Sequence, residues 1–230
     1  MKPMLPTRAL LACGAVAGPV YVTVTLIEAL TRDGFDLRHH RFSWLTIGDL
    51  GWIHQSNMLL VGVLTVLLAV GVRQTLRTGR GAVWGPRLLG LFGVAYIIGG
   101  MFAADPVAGF PPGTTPEMVH TTTQGAVQNA SRGASSLLLI AASLVTAGWF
   151  AAQGRRGWAW FYGAAIPMVF LALTLVGFAI GGNPVALAFL ATPWIWVTAL
   201  AAHLYRLAPE RRSDVPAGWG ARSRVARLCK

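Results

Sequence analysis

Six long apolar runs, separated by short polar stretches, organise this chain of 230 residues. Each run is close to the roughly 20 residues that a helix needs to cross the hydrocarbon core of a bilayer. The pattern therefore predicts an all-α protein, a single bundle of six transmembrane helices. The runs extend from about Leu10 to Ala29, Gly51 to Val72, Leu88 to Ala104, Gln124 to Phe150, Trp158 to Gly182 and Val185 to Tyr205.

The composition excludes an ordinary soluble domain. Hydrophobic residues make up 54% of the chain and charged residues only 12%, whereas soluble domains carry about 25% charged residues. We therefore expect an integral membrane protein that crosses the membrane several times.

The basic residues are distributed unevenly among the loops, and this asymmetry predicts the orientation. If both termini are cytoplasmic, 15 of the 19 Lys and Arg residues lie on that side. We predict a transmembrane domain over residues 1–206 and a basic, disordered cytoplasmic tail over residues 207–230. No nucleic-acid partner is predicted, because the basic residues occupy loops without interleaved aromatic residues. The predicted cytoplasmic residues are Lys2, Arg8, Arg73, Arg77, Arg80, Arg87, Arg155, Arg156, Arg206, Arg211, Arg212, Arg222, Arg224, Arg227 and Lys230.

A polar stripe leads into the fourth apolar run, with one hydrogen-bonding side chain every fourth residue: His120, Gln124, Gln128 and Arg132. This spacing predicts that all four share one helix face. An arginine facing hydrocarbon is costly, so the stripe should face the bundle interior or a wet cavity and pair with an acid or an anionic ligand. In the alternative interpretation, Arg132 pairs with Asp49 or Asp105 and only holds helices together.

Other costly polar side chains lie near the predicted outer ends of helices. His54 and Asn57 share a face in the first turns of helix two, and Glu28, Asp49 and Asp105 lie near the outer ends of helices one, two and three. A channel would need polar groups at every depth of the membrane. The one-sided distribution instead predicts a blind pocket that opens outward.

Acid–base chemistry is the first use that we predict for this pocket. A carboxyl group kept protonated by burial can donate a proton at neutral pH. The expected substrate is an isoprenoid-like molecule or a lipid that is cyclised or isomerised. The predicted catalytic residues are Asp49, Asp105, Glu28 and His54, and the predicted substrate-binding residues are Asn57, His120, Gln124, Gln128, Arg132, Trp194 and Trp196.

The two tryptophans are included because of their depth. Trp194 and Trp196 fall near the middle of helix six, away from the interfaces where tryptophan is enriched. Their faces can stabilise a cationic intermediate. Packing in the core is the alternative explanation for both.

The same side chains are also compatible with functions other than acid–base catalysis. Imidazole and carboxylate groups suit zinc, but His54, His120, Asp49 and Asp105 show no tight ligand spacing. No metal and no other cofactor is therefore predicted. Arg132, with neutral donors from Gln124, Gln128 and Asn129, can instead recognise an anionic head group. The alternative from a different class is a non-catalytic lipid- or partner-binding subunit, a transporter or a sensor component.

Two motifs resemble those of a bacterial family of six-helix membrane proteins, domain-of-unknown-function family 998. They are Gly48-Asp49-Leu50-Gly51-Trp52 before helix two, and Ala104-Asp105-Pro106 followed by Gly109-Phe110-Pro111-Pro112-Gly113 after helix three. The resemblance extends over about residues 10 to 205. It implies the six-helix fold, the outer polar cluster and a bacterial membrane location, but no activity.

The chain departs from the pattern of this family at helix four. The family pattern opens that helix with His-Gly-x-x-His, whereas this chain has Gln124-Gly125-Ala126-Val127-Gln128. Both imidazoles are replaced by amides. The resemblance therefore argues against a metal site or a histidine acid at this position.

Overall fold

The computed structural model describes residues 6–76, 79, 81–179 and 186–208. These residues form helices and no β-strand, which confirms the all-α prediction for the described part of the chain. The part of the predicted tail after Ala208, and the connection between the fifth and sixth apolar runs at residues 183–184, lie outside the described residues. The helices are α1 (Thr7–Thr31), α2 (Gly51–Thr75), α3 (Gly81–Met101), α4 (Thr123–Ala152), α5 (Arg156–Trp160), α6 (Ile166–Ala179) and α7 (Ala186–Leu207).

Four of these helices, α1 to α4, are long and apolar enough to cross a membrane. They contain 25, 25, 21 and 30 residues, and roughly 20 residues suffice. The chain therefore has the character of a multi-pass membrane protein. The count of six spans and the side of each terminus stay predictions.

The fifth predicted span corresponds to three consecutive elements. A π-helical turn, Phe161–Ala165, joins α5 directly to α6. Pro167 lies at the start of α6 and lacks the N–H group that would bond to the carbonyl one turn earlier. The irregular turn thus coincides with the position where proline removes a backbone donor.

The helices pack in a closed ring. α1 contacts α2 and α7, α2 contacts α3, α3 contacts α4, α4 contacts α5, and α6 contacts α7. The contact between α2 and α3 is the most extensive. Its centre is formed by Gly62 and Gly93, where a Cβ on either residue would lie 2.7 Å from the carbonyl oxygen of the other. Small residues permit such close approach between membrane helices.

Both ends of the described chain meet at one end of the ring. The guanidinium group of Arg8 donates to the carbonyl of Ala208 at 3.2 and 3.1 Å. The hydroxyl of Thr7 donates to Oε1 of Gln74, at the end of α2, at 2.7 Å. We call this end, marked by Thr7, Gln74 and Ala208, the terminal end.

The opposite end is covered by the α1–α2 connection. This connection contains a 3-10 helix, Phe42–Thr46, whose Thr46 hydroxyl accepts the N–H of Ala104 at 2.9 Å. Arg32, just after α1, donates to the carbonyl of Leu45 at 2.8 Å. The connection is therefore tied to both α1 and α3. We call this end, marked by Arg32, Thr46 and Ala104, the site end.

Candidate functional site

A buried polar face of α1 lies at the site end. Tyr21, Thr25 and Glu28 are all buried, and their spacing of four and three residues places them on one helix face. Nη2 of Arg32, which continues this face, lies 3.8 Å from Oε1 of Glu28. Only Glu28 was predicted from the sequence. The three-to-four spacing of polar side chains within an apolar run is the signal that would have identified the others.

His54 of α2 lies against this acid. Its Nδ1 is 2.9 Å from Oε2 of Glu28, and the imidazole is fully buried. An ionised carboxylate only accepts hydrogen bonds, so opposite an ionised Glu28 a neutral His54 ring has its proton on Nδ1 and its lone pair on Nε2. Nε2 has no hydrogen-bond partner within the described part of the chain. The arrangement leaves one imidazole nitrogen able to accept or return a proton.

Two amide side chains add further polar atoms. Asn57 donates from Nδ2 to the carbonyl of Tyr21 at 3.2 Å and to the hydroxyl of Thr25 at 3.4 Å, while its Oδ1 has no partner among the described residues. Gln128 of α4 is fully buried, and neither of its amide atoms has a partner there. Buried polar atoms are nearly always paired. These atoms therefore mark positions where a bound molecule can form hydrogen bonds.

Aromatic rings adjoin the imidazole. The ring centroid of Tyr21 is 5.9 Å from that of His54 and 4.8 Å from that of Trp194. Trp194 also contacts Tyr96 at 5.1 Å and Phe92 at 6.1 Å. The polar cluster is thus bordered by aromatic rings whose faces can stabilise positive charge.

The second predicted tryptophan belongs to a different aromatic cluster. Trp196 is fully buried and contacts Tyr162 edge to face at 5.8 Å. Tyr162 stacks on Phe150 at 5.2 Å, which contacts His203. Nη1 of Arg155 is 2.7 Å from Nε2 of His203. The structure therefore brings Trp194 next to the Glu28–His54 pair, but no ring contact links Trp196 to the pair within the described residues.

Arg132 has a different partner from the one expected. Its Nη1 donates to the hydroxyl of Ser43, in the 3-10 helix, at 2.8 Å. Among the described residues it forms no ion pair with a carboxylate. The described structure therefore does not show the alternative interpretation, in which Arg132 pairs with Asp49 or Asp105. Ser43, a short buried side chain in a connection, gave no signal in the sequence.

The first residue of the predicted polar stripe, His120, does not lie on helix four. α4 begins at Thr123, so the prediction that His120 shares the helix face is wrong. Its Nδ1 donates to the carbonyl of Met118 at 2.8 Å, and the side chain is exposed. Gln124 is also exposed, whereas Gln128 is buried. The predicted substrate-binding roles of these residues stay predictions.

Asp105 accepts hydrogen bonds from Thr122, the residue that caps α4. Its Oδ1 accepts the hydroxyl of Thr122 at 2.6 Å and the N–H of the same residue at 3.1 Å. The hydroxyl of Thr122 in turn accepts the N–H of Gly125 at 3.1 Å and caps the helix. Asp105 therefore fixes the residue at which α4 begins.

Asp49 lies just before α2 and is exposed. It forms no hydrogen bond or ion pair that links it to Glu28 or His54 in the described structure. The catalytic roles of Asp49 and Asp105 stay predictions. No group of three His, Cys, Asp or Glu side chains suited to a metal ion occurs within the described residues.

Two titratable groups in the α1–α2 connection have shifted pKa values. The hydrogen bond from His39, with a second one from the N–H of Arg38, holds the pKa of Asp36 below its ordinary value. Burial lowers the pKa of His40. The N–H of Asp36 donates to Nδ1 of His40 at 3.0 Å, and this hydrogen bond requires an unprotonated Nδ1.

Comparison with known proteins matches residues 15–203 to the family described as "Protein of unknown function (DUF998)". No curated protein and no solved structure gives a significant match. The matched region contains Glu28, His54, Asn57, Gln128 and Arg132, and it covers most of the chain. The resemblance carried by the two aspartate motifs is thereby confirmed, and the chain belongs to the DUF998 family.

Proposed function

We propose that the protein is a membrane-embedded enzyme that isomerises or cyclises a hydrophobic substrate, an isoprenoid-like molecule or a lipid, by acid–base chemistry. One observation carries the proposal. The imidazole of His54 is fully buried, its Nδ1 lies 2.9 Å from Oε2 of Glu28, and its Nε2 is unpartnered in the described structure. A carboxylate that holds one imidazole nitrogen orients the ring and stabilises its protonated form.

The proposed reaction needs no second reactant. The imidazolium form of His54, which the carboxylate of Glu28 stabilises, gives the proton on Nε2 to one carbon of a substrate double bond, and a carbocation forms on the neighbouring carbon. The neutral Nε2 then removes a proton from a carbon next to the cation, so the double bond forms again at a new position, the imidazolium ion is regenerated and the product is an isomer of the substrate. The rings of Tyr21, Tyr96 and Trp194 can stabilise positive charge that develops on the substrate. Asp49 and Asp105 are secondary candidates for the proton donor.

The proposed topology has six spans, with both termini in the bacterial cytoplasm. The continuous path from α5 through the π-turn to α6 extends roughly 36 Å at about 1.5 Å per residue, which exceeds the roughly 30 Å of a hydrocarbon core. An even number of spans agrees with the contact between Arg8 and Ala208 at the terminal end. The site end then faces outward, where a hydrophobic substrate can enter from the outer leaflet.

The test compares molecules that copurify with the protein. The wild type, Glu28→Gln and His54→Gln are purified in mild detergent, and their organic extracts are separated by chromatography and identified by mass spectrometry. We expect all three to contain molecules of the same mass. In the two variants the unconverted isomer should accumulate, with a different retention time.

The matched control is Glu117→Gln, because Glu117 is an exposed acid outside the buried cluster. Its extract should equal that of the wild type. If the Glu28 and His54 variants also contain the same isomer as the wild type, the enzymatic proposal fails. The result would then favour the alternative of a non-catalytic lipid-binding subunit.

A further inference from the structure

A cleft of about 350 Å³ opens at the site end. Its walls come from the α1–α2 connection, the α3–α4 connection and the beginning of α4. Arg41 and Trp44 line one side, and His120 and Asn129 line the other. The cleft thus collects side chains that can donate hydrogen bonds and one large aromatic ring.

Two arginines flank the 3-10 helix that borders this cleft. Arg41 precedes the helix, is exposed, and its guanidinium group has no hydrogen bond or ion pair with the described chain. Arg132 donates to Ser43, two residues after Arg41. It also follows Asn129 by three residues and therefore shares its face of α4. Arg41 therefore lies in the wall of the cleft, whereas Arg132 does not line it and contacts the 3-10 helix behind this wall.

The acidic side chains near the cleft, Asp105 and Glu28, contact other residues than the two arginines. Asp105 lines the cleft, but its Oδ1 accepts both the hydroxyl and the N–H of Thr122. Glu28 is held by Arg32 and His54. In the described structure neither carboxylate forms an ion pair with Arg41 or Arg132, although the carboxylate of Asp105 lies in the wall of the same cleft as Arg41. An arginine in a membrane-spanning helix is expected to pair with an acid or an anionic ligand.

We infer that this cleft binds an oxyanion, a phosphate or a carboxylate, at the head of the hydrophobic substrate. Arg41 supplies a guanidinium group in the wall of the cleft, which suits such anions because it donates parallel hydrogen bonds, and Arg132 adds positive charge from behind the 3-10 helix. Asn129 supplies a neutral donor, and Trp44 packs against the first apolar atoms behind the head group. The inference uses the proposed function only to place the apolar part of the molecule near Glu28 and His54. Binding itself does not require the proton transfer.

The experiment measures binding by the purified full-length protein in mild detergent, with three probes added separately. Farnesyl phosphate carries an apolar chain and an oxyanion, farnesol carries the same chain without charge, and inorganic phosphate carries the charge alone. We expect farnesyl phosphate to raise the Tm and farnesol to leave it unchanged. The affinity for farnesyl phosphate should fall about tenfold or more in Arg41→Gln, which removes a charged hydrogen-bond donor from the wall of the cleft. It should fall by a smaller factor in Arg132→Gln, which removes a positive charge behind this wall.

Arg38→Gln is the matched control, because Arg38 is an exposed arginine of the same connection that does not line the cleft. It should bind farnesyl phosphate like the wild type. His54→Gln should also bind it, so a failure of the catalytic proposal would not affect this result. Arg41 is exposed, and its variant therefore keeps the test valid if Arg132→Gln does not fold.

The outcomes distinguish the source of the oxyanion. Binding of farnesyl phosphate alone supports a lipid head group, and equal binding of inorganic phosphate supports the oxyanion site with a free anion as its ligand. Equal binding of farnesol and farnesyl phosphate overturns the inference. Unchanged affinity in Arg41→Gln together with Arg132→Gln overturns it as well.

Discussion

At the scale of single residues, the buried polar atoms are divided between paired and unpaired groups. Burial of a carboxylate and an imidazole costs hydration free energy, and Glu28 offsets part of this cost through the hydrogen bond between Oε2 and His54. Its Oε1 lies 3.8 Å from Nη2 of Arg32 and has no hydrogen-bond partner in the described structure. Gln128 has no such compensation within the described chain. Leaving a buried polar group unpaired costs about 1–3 kcal/mol. Such a cost is expected where a protein retains polar atoms for binding or chemistry.

The contact between Asp105 and Gly125 gives a prediction about stability. A Cβ at position 125 would overlap the carboxylate of Asp105, so Gly125→Ala should displace this acid from Thr122 and weaken the start of α4. We expect the free energy of unfolding to fall by about 1–2 kcal/mol, the value of a helix cap, and the Tm in detergent to fall with it.

The control for this prediction is Gly133→Ala in the same helix. A Cβ at position 133 has no neighbour within 4 Å in the described structure. Alanine is favoured over glycine inside a helix by about 0.5–1 kcal/mol, so this variant should raise the Tm. Equal effects of the two substitutions would contradict the proposed role of Asp105.

The hydrogen bond between Asp36 and His40 predicts a pH dependence of the α1–α2 connection. Burial lowers the pKa of His40, so the folded connection favours the neutral ring, which accepts the N–H of Asp36. The contribution to stability is complete above the ordinary histidine pKa of 6.5. It is lost as the pH falls through the lowered pKa of the folded state, because protonation removes the acceptor.

Limited proteolysis between pH 7.5 and 5 would measure this effect. Cleavage within the connection should become faster at the acidic end of the range. In His40→Asn an amide oxygen can accept the same N–H without titrating, so the acceleration should disappear. Asp36 has a lowered pKa and stays ionised in this range. A variant with the same pH dependence as the wild type would show that another group titrates.

At the level of elements, hydrophobic length predicted the first four helices, and the starts of α2 and α4 lie within one residue of the predicted starts, Gly51 and Gln124. The first four apolar runs correspond to α1 through α4. The extension of the polar stripe back to His120 was wrong, since α4 begins at Thr123. The start is determined by Thr122 and its bond to Asp105, which is 17 residues earlier in the chain. Periodicity describes a helix interior, whereas a cap formed by a distant side chain cannot be read from spacing.

The packing of α2 on α3 predicts that Gly93 does not tolerate a side chain. A Cβ at this position would lie 2.7 Å from the carbonyl oxygen of Gly62. Gly93→Ala should therefore push the two helices apart and lower the free energy of unfolding by about 1–3 kcal/mol, seen as a lower Tm in detergent.

Gly90→Ala, one turn earlier on the same helix, is the matched control. A Cβ there would meet Cβ of Ala69 at 3.6 Å, an ordinary van der Waals distance. This variant should be as stable as the wild type or slightly more stable. If Gly93→Ala behaves like Gly90→Ala, the close approach of α2 and α3 is not required for stability.

At the scale of the whole molecule, the proposed topology predicts which residues are accessible from outside the cell. Single cysteines at positions 117 and 156 are introduced in a Cys13→Ser, Cys229→Ser background, because Glu117 is on the α3–α4 connection and Arg156 begins α5, and both are exposed. A membrane-impermeant maleimide applied to intact bacterial cells should label position 117. Position 156 should be labelled only after lysis. Labelling of both positions in intact cells, or the reverse pattern, would contradict the orientation.

The fold class, the membrane character and the family could be predicted from the sequence, because apolar length and local motifs are properties of contiguous residues. The sequence also predicted Glu28, His54 and Gln128 as polar groups within apolar runs, and the structure shows all three to be buried. Which of these groups form hydrogen bonds with one another could be seen only in the folded structure. Glu28 bonds to His54 rather than acting alone, and Arg132 bonds to Ser43 rather than to an acid. These partners lie on different elements, and their distances depend on how the helices close into a ring, which no local spacing records.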